Sequence, residues 1–190
     1  VLFRSPMAGV SMVLVENTQT AQTKVGQNFY GDPALKLKLI GITGTKGKTT
    51  TAFMTYSILK AAGFKTGLIG TIHNLVNGEK IPTRNTTPAS LELQLLLAEM
   101  VKAKTEYVVM EVSSHAIALK RIAGLTFYRA VFTNITRDHL DFHHTFDDYY
   151  KVKASFFTSL PTRTTKAIIN MDDPFGPQVA AVTTAEVIGY

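Results

Sequence analysis

At 190 residues and 45% apolar content, the chain is the size of one domain, or of one domain with a remnant of another, and it can bury a core. Lys and Arg outnumber Asp and Glu by 20 to 14, and the net charge of +6 favours anionic partners such as nucleotides; with no basic run interleaved with aromatics, it argues against a nucleic-acid surface. The absence of Cys excludes disulfides and thiolate metal sites, and the apolar run at 10–15 is far too short for a membrane span and lacks a cleavage site, so a soluble, cytoplasmic protein is expected.

Val1 to Ser5 (VLFRS) precede the first Met and are read as a scar of gene assembly. The first 36 residues then combine a Val/Met strand, a polar Asn-Thr-Gln-Thr stretch and the turn Tyr30-Gly31-Asp32-Pro33, which reads as the tail of a preceding domain plus a linker. From Leu37 onward, short β-branched runs alternate with longer helical stretches. That is the pattern of an α/β fold with a mostly parallel sheet flanked by helices. Strands are expected at 37–43, 66–70, 107–111, 129–133, 166–170 and 186–188. Helices are expected at 48–62, closed by Gly63; at 88–104, with Thr87 as N-cap and Pro88 in the first turn; and at 146–159, capped by Thr145. No helix follows the last strand, so an incomplete sheet, and hence a fragment, is expected.

The segment from Gly41 to Thr51 (GITGTKGKTTT) lies between a strand and a helix, the context that a phosphate-binding loop requires. Glycines let backbone N–H groups converge on phosphate oxygens, and the helix N-terminus adds partial positive charge. Lys48 is then placed to reach the β- and γ-phosphates, and Thr49 to ligate Mg²⁺. The first Gly of G-x-x-x-x-G-K-[ST] would fall at Ile42, whereas Gly stands one place earlier, at Gly41.

Two further segments carry candidate ligands. The strand expected at 107–111 ends in Glu111, at the carboxyl end where open α/β sheets bind ligands. A lone Glu there reads as a solvated side chain, and the loop upstream shifts the reading to a Mg²⁺ ligand. The second segment, Asn134 to His144, packs three His and two Asp into its last seven residues. Such spacing admits zinc, but without Cys and beside a phosphate loop it favours Mg²⁺ with imidazole as a minority ligand; a plain polar loop is the alternative.

The loop Gly44-Thr45-Lys46-Gly47-Lys48-Thr49-Thr50 resembles the G-T-x-G-K-[TSG] loop of the Mur ligase and folylpolyglutamate synthase superfamily, with Lys46 where Asn is common. Further along, EVSSHA (111–116), FTNITRDHLDFHH (132–144), YYKVKASFF (149–157) and INMDDP (169–174) are similar, in order and spacing, to signatures of the MurE branch of the Mur ligase family. The likeness runs from about residue 27 to 177. It implies a P-loop NTPase-like central domain at 37–190, incomplete, preceded by a remnant of a UDP-binding domain plus linker at 1–36, with a C-terminal domain lying outside the chain.

The activity implied is ATP-dependent ligation, in peptidoglycan synthesis, of L-lysine or meso-diaminopimelate to UDP-MurNAc-L-Ala-D-Glu through an acyl phosphate. The cofactors implied are ATP and Mg²⁺, and the fragment alone is expected to be inactive. With Thr49, the same resemblance makes Glu111 and His139 metal ligands, and Lys153 a carbamylated lysine that holds a second Mg²⁺ and joins Lys48 and His139 in catalysis. At the residue level alone, Lys153 reads as an exposed helix lysine. Asn85, Thr86, Thr87, Ser113 and Arg121 fall on places that contact the UDP-muramoyl substrate, although Leu119 stands where some members have Gln. A monomer without nucleic-acid or membrane partners is expected. Another ligase of the superfamily, for folylpolyglutamate or cyanophycin, would share the loop, as would a non-catalytic nucleotide-binding module. The Asn-Thr-Thr-Pro and Glu-Val-Ser-Ser-His segments discriminate against them.

Overall fold

The computed structural model describes Gly9, residues 11–161 and residues 165–190, so the VLFRS segment read as non-native lies outside the described residues. Eight strands form one sheet: β1 (Lys38–Thr43), β2 (Thr66–Ile69), β3 (Asn74–Val76), β4 (Glu79–Ile81), β5 (Tyr107–Glu111), β6 (Phe127–Phe132), β7 (Lys166–Ile169) and β8 (Glu186–Gly189). Their spatial order is β4-β3-β2-β5-β1-β6-β7-β8. All pairings are parallel except those of the β2-β3-β4 edge.

The helices are α1 (Thr18–Tyr30), α2 (Lys48–Ala61), α3 (Ser90–Lys102), α4 (Ser114–Ala118), α5 (Leu140–His143), α6 (Phe146–Thr158) and α7 (Gly176–Val182). The sheet is covered on both faces, which is why its strands read as continuous apolar runs rather than alternating ones. On one face Leu39, Val108, Met110 and Phe132 pack against Leu93 and Leu97 of α3 and Phe156 and Phe157 of α6. On the other, Ile40, Ile42, Val109 and Val131 pack against Ala52 and Tyr56 of α2. Each Val, Leu, Ile, Phe or Met side chain among them, fully buried, contributes about 1.5–3 kcal/mol.

Gly41 belongs to this packing rather than to the phosphate loop. A Cβ there would come within 2.8 Å of the Phe127 and Phe156 rings, so glycine lets α6 approach β1. The displaced glycine in the loop motif thus has a packing cause.

The six expected strands form, and Thr145 caps α6 by accepting from Asp148 N at 3.1 Å. Gly63 lies one residue beyond the C-cap of α2, with the Phe64 N–H bonded to Leu59 O in a Schellman closure. Three expectations change. The run at 11–15 forms no strand and leaves Val13 and Leu14 exposed. The polar stretch read as linker is instead α1, capped by Asn17 and docked on the body through Thr23 Oγ1 to Ser90 Oγ (2.9 Å) and Gln27 Nε2 to Gly124 O (3.1 Å).

Thr87 is not a cap: α3 starts at Ser90 behind Ala89, because the Thr87 hydroxyl is drawn to Glu111 O at 2.8 Å. The β3-β4 hairpin went unread, although its Asn77-Gly78 turn, with φ of 50° and 100°, is a strong local hairpin signal. The short helices α4, α5 and α7 carry too few residues to show a period.

Candidate functional site

β1 lies between β5 and β6, and the chain leaves it toward β2 on one side and later reaches β6 on the other. Strand order reverses here, which opens a crevice at the carboxyl ends of the strands. The loop from Gly44 to Gly47 occupies it. Gly47 caps α2 in the left-handed region (φ 83°, ψ −8°) without a side-chain cap, so the first N–H groups of the helix remain available to an anion.

The loop is held by the end of β6. Thr45 N donates to Asn134 O (2.9 Å) and Lys46 N to Asn134 Oδ1 (2.9 Å). Thr133 Oγ1 donates to Lys46 O at 2.7 Å, and a Cβ at Gly44 would overlap that hydroxyl. Beneath the loop, Thr45 Oγ1 lies 3.0 Å from the hydroxyl of buried Tyr149. With most of its polar groups engaged, the loop is pre-shaped.

Lys48 folds back on this loop, its Nζ donating to Gly44 O (2.9 Å) and Thr45 O (3.0 Å). Burial lowers its pKa, opposed by the charges of Glu111 and Asp138. Glu111 is buried at the end of β5. Its Oε2 accepts from Thr49 Oγ1 (2.8 Å) and Thr71 Oγ1 (3.2 Å), and its Oε1 accepts from Thr71 N (2.9 Å).

Lys153 corrects the residue-level reading of an exposed helix lysine, for its side chain is only 2% exposed. Its Nζ donates to Gly44 O at 2.9 Å and lies 4.9 Å from the centre of the Tyr149 ring. Burial first, and the nearby Lys48 charge second, push its pKa down to about 7, partly offset by Asp138.

A cleft of about 210 Å³ is lined by Lys48, Asn85, Thr86, Thr87, Ser113, His115, Arg121 and His139. Arg121 holds its wall by donating from Nη1 to Thr87 O at 2.9 Å, and Ser113 N donates to Thr87 Oγ1 at 3.1 Å. The sequence candidates therefore meet in two connected groups, the loop with Glu111 and Lys153, and the cleft with Lys48 common to both. A larger cavity of about 610 Å³ lies toward the opposite end of β6, around Phe127 and Phe156. Among the described residues Lys120 is the only charged side chain lining it, whereas Lys48, His115, Arg121 and His139 line the smaller cleft.

The His-rich segment does not gather as a zinc cage. His139 faces the cleft, His143 is buried and His144 is exposed, and no three of His, Cys, Asp and Glu converge on a point among the described residues. Four residues of the site escaped the residue-level reading: Thr71, His115, Thr133 and Tyr149. Tyr149 had a signal, since it precedes Lys153 by one helical turn and shares its face. Thr71 had none, because its partner Glu111 is 40 residues away.

The Mur ligase middle domain matches residues 42–190, which takes in the loop, Glu111, the cleft and Lys153. The chain belongs to the Mur ligase family. Among Mur ligases it is 50% identical over 169 residues to UDP-N-acetylmuramoyl-L-alanyl-D-glutamate–2,6-diaminopimelate ligase 1 of Clostridium acetobutylicum, covering 89% of this chain and 34% of that protein. The corresponding ligase of Phocaeicola vulgatus is 46% identical over 181 residues, covering 95% of this chain and 37% of that one. The chain thus spans about a third of the length of the curated relatives it matches.

A solved UDP-N-acetylmuramoyl-L-alanyl-D-glutamate–2,6-diaminopimelate ligase superposes with a TM-score of 0.77 at 26% identity, covering 97% of this chain and 39% of that one. The folylpolyglutamate synthase of Mycobacterium tuberculosis, solved with ADP and AMPPCP, superposes with a TM-score of 0.70 at 20% identity, covering 89% and 46%. The second likeness is one of fold. The mostly parallel sheet flanked by helices is the Mur ligase central-domain fold.

Proposed function

We propose that this chain is part of an ATP-dependent ligase that joins a diamino acid to UDP-MurNAc-L-Ala-D-Glu, as the names of its relatives indicate for those proteins. Those names favour diaminopimelate over lysine. One observation carries the proposal: a single cleft exposes the phosphate-loop lysine, Lys48, to the same space as Asn85, Thr86, Thr87, Ser113 and Arg121. A phosphoryl donor held by the first and an anionic acceptor held by the others would meet there. Cytoplasmic residence belongs to the same proposal, and no helix among the described residues is long and apolar enough to cross a membrane.

In this reading the loop from Gly44 through Thr50 cradles the ATP phosphates with the N–H groups at the start of α2, behind Gly47, while Thr45 and Lys46, whose own N–H groups are held by Asn134, shape its turn. Lys48 exchanges its two carbonyl acceptors for phosphate oxygens. A carboxylate oxygen of the acceptor's D-Glu attacks the γ-phosphorus, the bond to the β–γ bridging oxygen breaks, and ADP leaves. The resulting acyl phosphate is attacked at carbon by the amine of the diamino acid; phosphate departs, and the nitrogen loses a proton as the amide forms. Lys48 offsets charge on the transferring group, which is the main demand of phosphoryl transfer. Arg121, with its planar fork, suits a carboxylate or phosphate of the acceptor.

The donor set fits a divalent cation such as Mg²⁺. A buried carboxylate, Glu111, lies against the Thr49 hydroxyl, and hard oxygen ligands of this kind suit Mg²⁺, with His139 close by at the cleft. Bound there, the ion would supply neutralisation of phosphate charge. A pKa of about 7 leaves much of Lys153 as neutral amine, the form that captures CO₂ to become an anion that would hold a second Mg²⁺.

The test uses the full-length protein and follows ADP release that depends on both UDP-MurNAc-L-Ala-D-Glu and diaminopimelate. Lys48→Ala is expected to reduce turnover at least about a thousandfold, in line with what single electrostatic groups contribute to such transfers. Ligation at the wild-type rate by that variant would refute the assignment. ATP binding without UDP-muramoyl binding would favour a nucleotide-binding module instead.

A further inference from the structure

Glu111 and the Asn85–Thr87 segment are joined by a residue that no motif includes. Thr71, two residues past the end of β2, meets the carboxylate twice, through its backbone N–H to Oε1 at 2.9 Å and its hydroxyl to Oε2 at 3.2 Å. The same hydroxyl lies 3.1 Å from Thr86 Oγ1. Across the carboxylate, Oε2 also accepts from Thr49 Oγ1 at 2.8 Å. A continuous line of polar atoms therefore runs from Thr86, in the wall of the cleft, through Thr71 and Glu111 to Thr49 in the first turn of α2.

A threonine hydroxyl has one proton, so Thr71 cannot donate to both neighbours at once. The carboxylate is the stronger acceptor and cannot donate, so in the free protein Thr71 gives its proton mainly to Glu111, and its donation to Thr86 competes with that bond. A cation drawn to Glu111 weakens that carboxylate as an acceptor. Thr71 then turns its proton to Thr86, and Thr86 is free to donate to an anionic group in the cleft. The coupling also works in reverse: an anion that takes the Thr86 proton makes Thr86 a stronger acceptor for Thr71, which releases Oε2 for the cation. The two occupancies assist one another.

We infer that Thr71 is a positioning residue that couples the acceptor cleft to the nucleotide carboxylate, so that nucleotide with its cation and UDP-muramoyl acceptor bind with positive cooperativity. This rests on the ligase reading above. Thr71→Val keeps the backbone anchor to Oε1 and deletes only the junction, while Thr71→Ser keeps the hydroxyl. A structural role alone would not separate these two variants by their cooperativity.

The experiment is titration calorimetry on the full-length protein with AMPPCP and Mg²⁺, with and without saturating UDP-MurNAc-L-Ala-D-Glu. Linkage requires the same factor when the order of addition is reversed. In wild type and Thr71→Ser the acceptor is expected to tighten AMPPCP binding by about fivefold or more. In Thr71→Val that factor should fall close to one. A wild-type factor retained in Thr71→Val, or no cooperativity in wild type, overturns the inference. Failure of the wild-type protein to bind the UDP-muramoyl dipeptide at all would instead sink the ligase reading, and the inference with it.

Discussion

Under the phosphate loop, the Lys153 ammonium has few polar neighbours, chiefly Gly44 O at 2.9 Å and Thr43 Oγ1 at 3.5 Å. Burial and the adjacent Lys48 charge set its pKa at about 7, against 10.5 for an ordinary lysine. The folded value lies below the unfolded one. Between about pH 7 and pH 10.5 the unfolded chain therefore holds the extra proton, and stability rises with pH across that window; below it, the penalty for burying the charge is present in full. Lys153→Met keeps the apolar stem and removes the charge. It is expected to raise the Tm by several degrees near pH 6, consistent with a penalty on the order of a few kcal/mol. The gain should shrink toward pH 10, and parallel pH profiles of Tm for variant and wild type would contradict the burial argument.

Helix α6 presents its functional face through ordinary helix chemistry. Tyr149 and Lys153, four residues apart, point to one side, where the first supports Thr45 and the second Gly44. The opposite side carries Lys151 paired with Asp147 in solvent, which contributes little. The start of the helix depends on Thr145, which accepts from Asp148 N at 3.1 Å and donates to Asp148 Oδ2 at 2.6 Å. Thr145→Ala is expected to cost about 1 kcal/mol of unfolding free energy, measured by urea titration with unchanged m-value, whereas Thr145→Ser should cost a few tenths. A loss below about 0.3 kcal/mol for the Ala variant would mean that the contacts of Phe146 with Phe175 and of Tyr149 with Thr45, rather than the cap, hold the first turn. The β2-β3-β4 edge shows the same reliance on local chemistry, its antiparallel turn being made by Asn77 and Gly78, both at positive φ.

Across the molecule, protection should follow position in the sheet. β1, with a parallel neighbour on each side and Leu39 and Ile42 wholly buried, lies at the centre, while β4 and β8 form the edges and the strand residues of β8 are all exposed. Native-state hydrogen exchange is therefore expected to be slowest at the amides of β1 and β5 and to approach local-opening rates in β4 and β8; fast exchange in β1 would place the stable core elsewhere. Much of this plan was legible beforehand, because a parallel strand buried on both faces is a short apolar run, and a phosphate loop is a local arrangement of glycines, lysine and hydroxyls. Those features lie within a few residues of one another along the chain, and so did the motifs that carried the family resemblance. Only the folded structure decided that Lys153 is buried, that Thr87 turns from a helix cap to Glu111 O, that α1 docks on the body, and that Thr71 joins Glu111 to Thr86. Each of these depends on which side chains meet across loops tens of residues apart, and no local period or spacing encodes such a meeting.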